Sequence, residues 1–191
     1  MHVLRTAVSM LALYDPLLND NSIEANEKKA VKLMSQTATI VTSFDRLRNG
    51  KAVVPGDASL SFAGNFLYTL TGKKPDAIME KTFDIALTQH AEHELNASTF
   101  AARVTAATLS DIYSAITSGI GALRGPLHGG ANEEVIKILL EVDSAEAALT
   151  MIKNKLDNKV KVPGFGHRVY KTTDPRAASL KGMADRKSTR L

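Results

Sequence analysis

The run Gly125-Pro126-Leu127-His128-Gly129-Gly130-Ala131-Asn132 places a histidine where a glycine-bearing turn meets the start of a helix. Glycine at 125, 129 and 130 permits tight turning and close approach of a ligand to the backbone. Residues Glu133 to Leu140 carry a helical apolar pattern, with acids in the first turn where the positive end of a helix favours them. An imidazole at that end is suited to act as a neutral hydrogen-bond donor, which makes His128 a candidate catalyst. A second histidine follows glycines in Val162-Pro163-Gly164-Phe165-Gly166-His167-Arg168-Val169-Tyr170-Lys171, continued by Thr172-Thr173-Asp174-Pro175-Arg176. Arg168, Lys171 and Arg176 gather positive charge around His167, and an anionic ligand, a dicarboxylate or a nucleotide phosphate, would relieve its self-repulsion.

A third segment, His90-Ala91-Glu92-His93-Glu94-Leu95-Asn96-Ala97-Ser98, holds two more histidines. A metal-dependent hydrolase built on His90, His93 and Glu94 is the competing chemistry. The histidines are three apart with the glutamate outside them, whereas the H-E-x-x-H zinc pattern sets them four apart around it. His90 shares a helical stripe with Phe83, Leu87, Ala91 and Glu94, so it is expected to be a satisfied interior histidine rather than a ligand.

The stretch from Gly164 to Arg176 resembles the signature loop of the citrate synthase family, a G-[FY]-G-H-x-V run followed by a basic residue and D-P-R. The 125–132 and 90–98 segments resemble the same family in the same order, so the similarity covers nearly the whole chain. It implies condensation of acetyl-CoA with oxaloacetate to give citrate and CoA, the entry step of the tricarboxylic acid cycle. It also implies that His128 bonds the developing enolate oxygen, that His167 meets the oxygen of the 2-oxo acid, and that His93 and Arg176 bind oxaloacetate. Leu127, Val162, Gly164, Phe165 and Gly166 match positions that line the CoA adenine, and Lys171 matches one that meets phosphate. No cofactor is permanently bound on this scheme; acetyl-CoA is a co-substrate. The His93–Asn96 interval is one residue shorter than in some members, and no role is given to Asn96. The same resemblance admits 2-methylcitrate synthesis from propionyl-CoA, since one methylene is worth only ~1–3 kcal/mol in a pocket. The family's catalytic aspartate and later arginines fall beyond Leu191, so the chain is expected to be an internal fragment, inactive alone, of a protein that is a homodimer or larger.

Composition narrows the class. In 191 residues 44% are hydrophobic, enough for one core, and the absence of cysteine excludes disulfides and thiolate metal sites. A cytoplasmic location fits. No apolar run approaches the ~18 residues that span a bilayer, and Ala7 to Leu13 runs into Tyr14-Asp15-Pro16 without a small-residue cleavage site. The net charge of +4 owes half its excess to Asp185–Leu191, where three basic residues face one acid. That stretch is read as a non-native tail. Without it little charge remains for nucleic acid, and a basic helical binding module is the weaker alternative.

Periodicity predicts an all-α fold, without strand alternation. Helices are expected over 3–13, 23–48 with Asn21 or Ser22 as cap, 59–71 closed by Gly72, and 75–95 opened by Pro75. Further helices are expected over 98–109, 111–123, 131–142 and 144–156. The stripe Met34, Ile40 and Phe44 is expected in the core. A joint at Gly125–His128 divides the chain into 1–127, part of a large helical domain, and 128–184, part of a small one, leaving 185–191 as the tail. Arg46, Arg48 and Lys51 suit a solvated helix C-terminus.

Overall fold

The computed structural model describes residues 1–91, 94–165 and 171–188, with side chains through residue 184. Among the described residues every regular element is helical: α1 (His2–Leu11), a short 3₁₀ turn (Ala12–Tyr14), α2 (Ile23–Arg48), α3 (Phe62–Thr71), α4 (Ala77–His90), α5 (Ala97–Ala107), α6 (Ile112–Leu123), α7 (Ala131–Leu140), α8 (Ala145–Asp157) and α9 (Pro175–Ser188). None of these helices is long and apolar enough to cross a membrane.

Local chemistry sets most of the boundaries. The Ser22 hydroxyl accepts the Ala25 N–H at the start of α2. Gly72 closes α3 in the left-handed region at φ 82°, a conformation that costs other residues a steric clash. Two expected starts move. Ser61 rather than Ser59 caps α3, because Asp57 captures the Ser59 N–H and hydroxyl in a turn of its own. Asp76, not Pro75, opens α4, its carboxylate accepting the N–H groups of Ile78 and Met79, so the proline lies outside the first turn. α4 stops at His90, short of residue 95, and Glu94 turns the chain at φ 53°. The sequence reading assigned no helix beyond Asp174, yet Pro175 begins α9, where its missing N–H costs nothing.

The core lies between α1, α2 and α6, where Val8, Leu33, Tyr113 and Ile120 are buried and Leu4, Leu11, Leu18, Ile40 and Ile116 pack around them. Each fully buried apolar side chain of this kind contributes ~1.5–3 kcal/mol. Small residues bring α5 and α6 together. A Cβ on Gly119 would stand 3.4 Å from the Ser98 carbonyl and 3.7 Å from the Ala102 methyl, and the Thr105 hydroxyl donates to Ser118 across the pair at 2.8 Å. α9 packs against α4, while α7 and α8 make little contact with the α1–α6 body.

Not all apolar positions go inward. Met34 is 60% exposed and Phe44 37%, so of the stripe assigned to the core only Ile40 joins it. His90, the last residue of α4, is also exposed, its Nδ1 2.7 Å from the Ala86 carbonyl oxygen, so it is not the interior histidine expected. The burial of α4 comes further back, where Phe83 stacks on Phe66 with centroids 4.8 Å apart. In total the chain exposes 13535 Å², about 1.5 times the roughly 8,900 Å² of a compact monomer of this mass. That surface includes exposed apolar side chains such as Leu13, Ile23, Val31, Leu139 and Leu140, which suit cover by further polypeptide.

One buried polar cluster ties the 12–20 turn to the core. The Tyr113 hydroxyl donates to Asp15, which also accepts the Leu17 N–H at 3.0 Å; Lys29, 1% exposed, donates to the carbonyls of Leu17 and Asp20 at 3.1 and 2.6 Å. The Tyr113 hydrogen bond, against the opposing effect of burial, holds the Asp15 carboxyl below its ordinary value, and burial with that same bond pushes the Tyr113 phenol up. Tyr113→Phe is expected to cost about 1–3 kcal/mol of stability by leaving the buried carboxylate short of a donor. Since the Asp15 pKa is lowered in the folded state, this stabilisation is present above about pH 4 and lost as pH falls through the lowered value. Thermal melts at descending pH should therefore show the gap between wild type and variant closing in acid. A gap that does not depend on pH would refute the assignment.

Candidate active site

Residues 124–130 turn back sharply on the end of α6. The Gly125 carbonyl accepts both the His128 N–H (2.9 Å) and the Gly130 N–H (3.1 Å), and the His128 carbonyl accepts the Ala131 N–H (3.0 Å). Two glycines are required by close approach rather than by positive φ. A Cβ on Gly129 would lie 2.6 Å from the Leu123 carbonyl oxygen, and one on Gly130 would lie 2.9 Å from the Gly125 oxygen and 3.0 Å from that of Arg124. Carbonyl oxygens of a helix end cannot move aside as a flexible side chain can. The turn is thus fixed against α6, and His128 with it.

The His128 ring is partly buried, and its Nε2 lies 2.7 Å from the Ser98 hydroxyl oxygen. Ser98 sits in the first turn of α5, positioned by Asn96, whose side-chain oxygen accepts the N–H groups of Ser98 and Thr99 at 3.0 Å each. Asn96 is therefore the cap of the helix that carries the histidine's partner. If Ser98 donates to Nε2, the neutral ring carries its proton on Nδ1 and presents that N–H as a donor. Ser98 went unassigned in sequence reasoning because its contact with His128 spans thirty residues. The cap at Asn96, two residues before it, is the local signal that places this serine in the first turn of its helix.

The second loop meets the first through α7. Gly164 has φ 88°, and a Cβ there would stand 3.0 Å from the Val135 methyl, so the 162–165 loop lies directly on the helix that follows His128. Val162 is buried, whereas Phe165 is 71% and Leu127 87% exposed; Lys171 is exposed as well. Gly166, His167, Arg168 and His93 lie outside the described residues. So does any grouping of His90 with His93; among the described residues no cluster of three or more potential metal ligands occurs. α7 begins at Ala131 with Glu133 and Glu134 in its first turn, as expected, and ends at Leu140, two residues before the expected end.

Arg176 opens α9, paired to Asp174 through Nε (3.0 and 3.2 Å) and Nη2 (2.7 Å). The positive cluster expected around the second loop is thus compensated in part within the chain, a term that counting only the basic residues overlooked. Because α9 packs on α4, Arg176 belongs to a helix whose neighbour leads into the segment bearing His93. The groove along α8, lined by Thr150, Met151, Asn154, Lys155 and Val160, involves none of these candidates.

Comparison with known proteins gives the family. The family model for the citrate synthase C-terminal domain matches residues 1–190. Citrate synthase 2 of Bacillus subtilis is 52% identical over 186 residues, which is 97% of this chain and 50% of that protein. The citrate/2-methylcitrate synthase of the same organism is 43% identical over 182 residues, 95% of this chain and 49% of its own length. Among solved structures, a citrate synthase from the thermophilic archaeon Thermoplasma acidophilum, in a ternary complex with carboxymethyl coenzyme A and oxaloacetate, superposes with a TM-score of 0.81 at 32% identity, covering 98% of this chain and 49% of that one. The chain spans about half the length of the relatives it matches. With its helical architecture, its glycine-locked histidine turn and a match that runs almost from end to end, this chain belongs to the citrate synthase family.

Proposed function

We propose that this sequence forms part of a citrate synthase, which condenses acetyl-CoA with oxaloacetate and releases citrate and CoA. The observation that carries the proposal is the His128 ring, held at one nitrogen by Ser98 and at its backbone by a turn only glycine can make. A carboxylate base removes a proton from the acetyl methyl group, and charge accumulates on the thioester oxygen. That proton is weakly acidic, so the oxygen needs a donor already aimed at it, an interaction worth roughly 3–4 kcal/mol. His128, with its proton on Nδ1, is that donor. The enolate carbon then attacks the ketone of oxaloacetate, whose oxygen takes up negative charge opposite His167 and is protonated. Water cleaves the thioester to complete the products. Arg176 grips a carboxylate of oxaloacetate with its planar fork, and His93 binds the same substrate. Leu127, Val162, Gly164, Phe165 and Gly166 line the adenine site and Lys171 meets phosphate; the exposed Leu127 and Phe165 side chains support such contact.

The chain divides at the Gly125–His128 joint into parts of a large and a small domain; the sparse contact of α7 and α8 with the preceding helices supports this division, while α9 reaches back to pack on α4. The protein works in the cytoplasm as a homodimer, at the entry of the tricarboxylic acid cycle. Exposed Phe100, Val104 and Leu109 on and after α5 support association with a second copy.

A second assignment, 2-methylcitrate synthesis from propionyl-CoA, is favoured by the Bacillus subtilis relative named for both products. One assay separates them. A full-length protein carrying this sequence, given oxaloacetate, is expected to release CoA thiol faster from acetyl-CoA than from propionyl-CoA. Preference for propionyl-CoA would move the assignment to the second product, and release from neither would refute both.

A further inference from the structure

We propose that Asp174 is a positioning residue: it orients the Arg176 guanidinium for recognition of the dicarboxylate substrate, an inference that rests on Arg176 being that substrate's ligand. Asp174 does two separable things. As the residue before Pro175 it caps α9, its Oδ1 accepting the Arg176 backbone N–H at 3.0 Å while its carbonyl accepts the Ala177 N–H at 3.0 Å. It also binds the Arg176 side chain on one edge, both carboxylate oxygens engaging Nε at 3.0 and 3.2 Å and Oδ2 engaging Nη2 at 2.7 Å.

The cap alone does not call for the second arrangement. One side-chain oxygen suffices for capping, and asparagine or serine caps about as well as aspartate. The second oxygen accepts from Nε and Nη2 of the guanidinium. That group is a rigid plane of five N–H donors, so holding Nε and Nη2 fixes both the plane and the direction of its opposite edge. A pair between long, solvent-exposed side chains would be worth little, but here both are about three-quarters buried, at 24% and 27% exposure, and only two residues apart. The arginine is consequently set in place before substrate arrives, and the ordering of its long side chain is not charged against binding.

Charge and geometry make opposite demands, which gives a decisive test. Asp174 carries a negative charge beside a site for a doubly negative ligand, so by charge alone Asp174→Asn tightens binding. If orientation is its role, the same change loosens binding, since the amide keeps the cap but cannot accept from both Nε and Nη2. In a full-length protein carrying this sequence, D174N is expected to raise KM for oxaloacetate about tenfold, the scale of one charge-assisted hydrogen bond. The melting temperature should fall by no more than about a few degrees, since the cap is kept and the pair is partly solvated, and KM for acetyl-CoA should be unchanged. D174S, which also retains a capping oxygen, should behave alike and stands in should D174N fold poorly. An oxaloacetate KM that stays level or falls in these variants overturns the inference, as does an equal rise for both substrates. Arg176→Ala is run beside them. If that change spares oxaloacetate, the ligand role of Arg176 fails first, and the two failures are told apart.

Discussion

Replacing His128 by alanine in a full-length protein carrying this sequence is expected to lower turnover at least about a hundredfold with the fold intact. The size follows from removing one pre-aimed donor at an oxygen that gains charge only as the reaction proceeds, so the loss should fall on kcat more than on KM for either substrate. The fold should survive because the turn is held by backbone bonds from Gly125 and by the fit of Gly129 and Gly130 against α6, none of which involves the imidazole. Ser98→Ala is the companion. It leaves the imidazole in place but removes the hydroxyl 2.7 Å from Nε2, freeing both the ring's orientation and its proton position. A smaller loss, about tenfold in kcat, is expected there. Near-normal turnover in His128→Ala would defeat the assignment of this residue.

Arg176→Ala should raise KM for oxaloacetate by about two orders of magnitude, as truncating one partner of a close charge pair does, and leave acetyl-CoA nearly unaffected. Part of that rise comes from Asp174, whose carboxylate would lose its guanidinium partner and face the dicarboxylate directly. Arg176→Lys separates the contributions. It keeps the charge and loses the planar fork, so a KM still well above wild type would identify geometry rather than charge as the property required. Equal effects of Arg176→Ala on both substrates would remove the residue from the oxaloacetate site.

What could be foreseen from sequence followed the range of the interaction. Ser22, Gly72 and the acids of the 131–140 helix act within one turn of their own positions, and those boundaries were legible. Asp76 and Asp174 are equally local, but each adjoins a proline: Pro75 has the signature of the start that Asp76 makes, and Asp174-Pro175 reads as part of a loop motif although it opens a helix. Met34 and Phe44 fit a helical stripe, and periodicity cannot say whether anything covers that stripe. The same limit misplaced His90. At the site, the glycines around His128 announced a tight turn, while the reason they are glycines, the carbonyl oxygens at the end of α6, belongs to the tertiary structure. The partnership of Ser98 with His128 joins two helices' ends and has no signature in either segment alone.

The geometry of the site admits a direct measurement: a crystal structure of a full-length protein carrying this sequence, bound to oxaloacetate and carboxymethyl coenzyme A. The Nδ1 atom of His128 is expected within about 3.2 Å of the analogue's carboxyl oxygen, with Ser98 still on Nε2 and His167 facing the ketone oxygen from the other side of one cleft. Two imidazoles turned away from each other, with the ligands bound elsewhere, would contradict it.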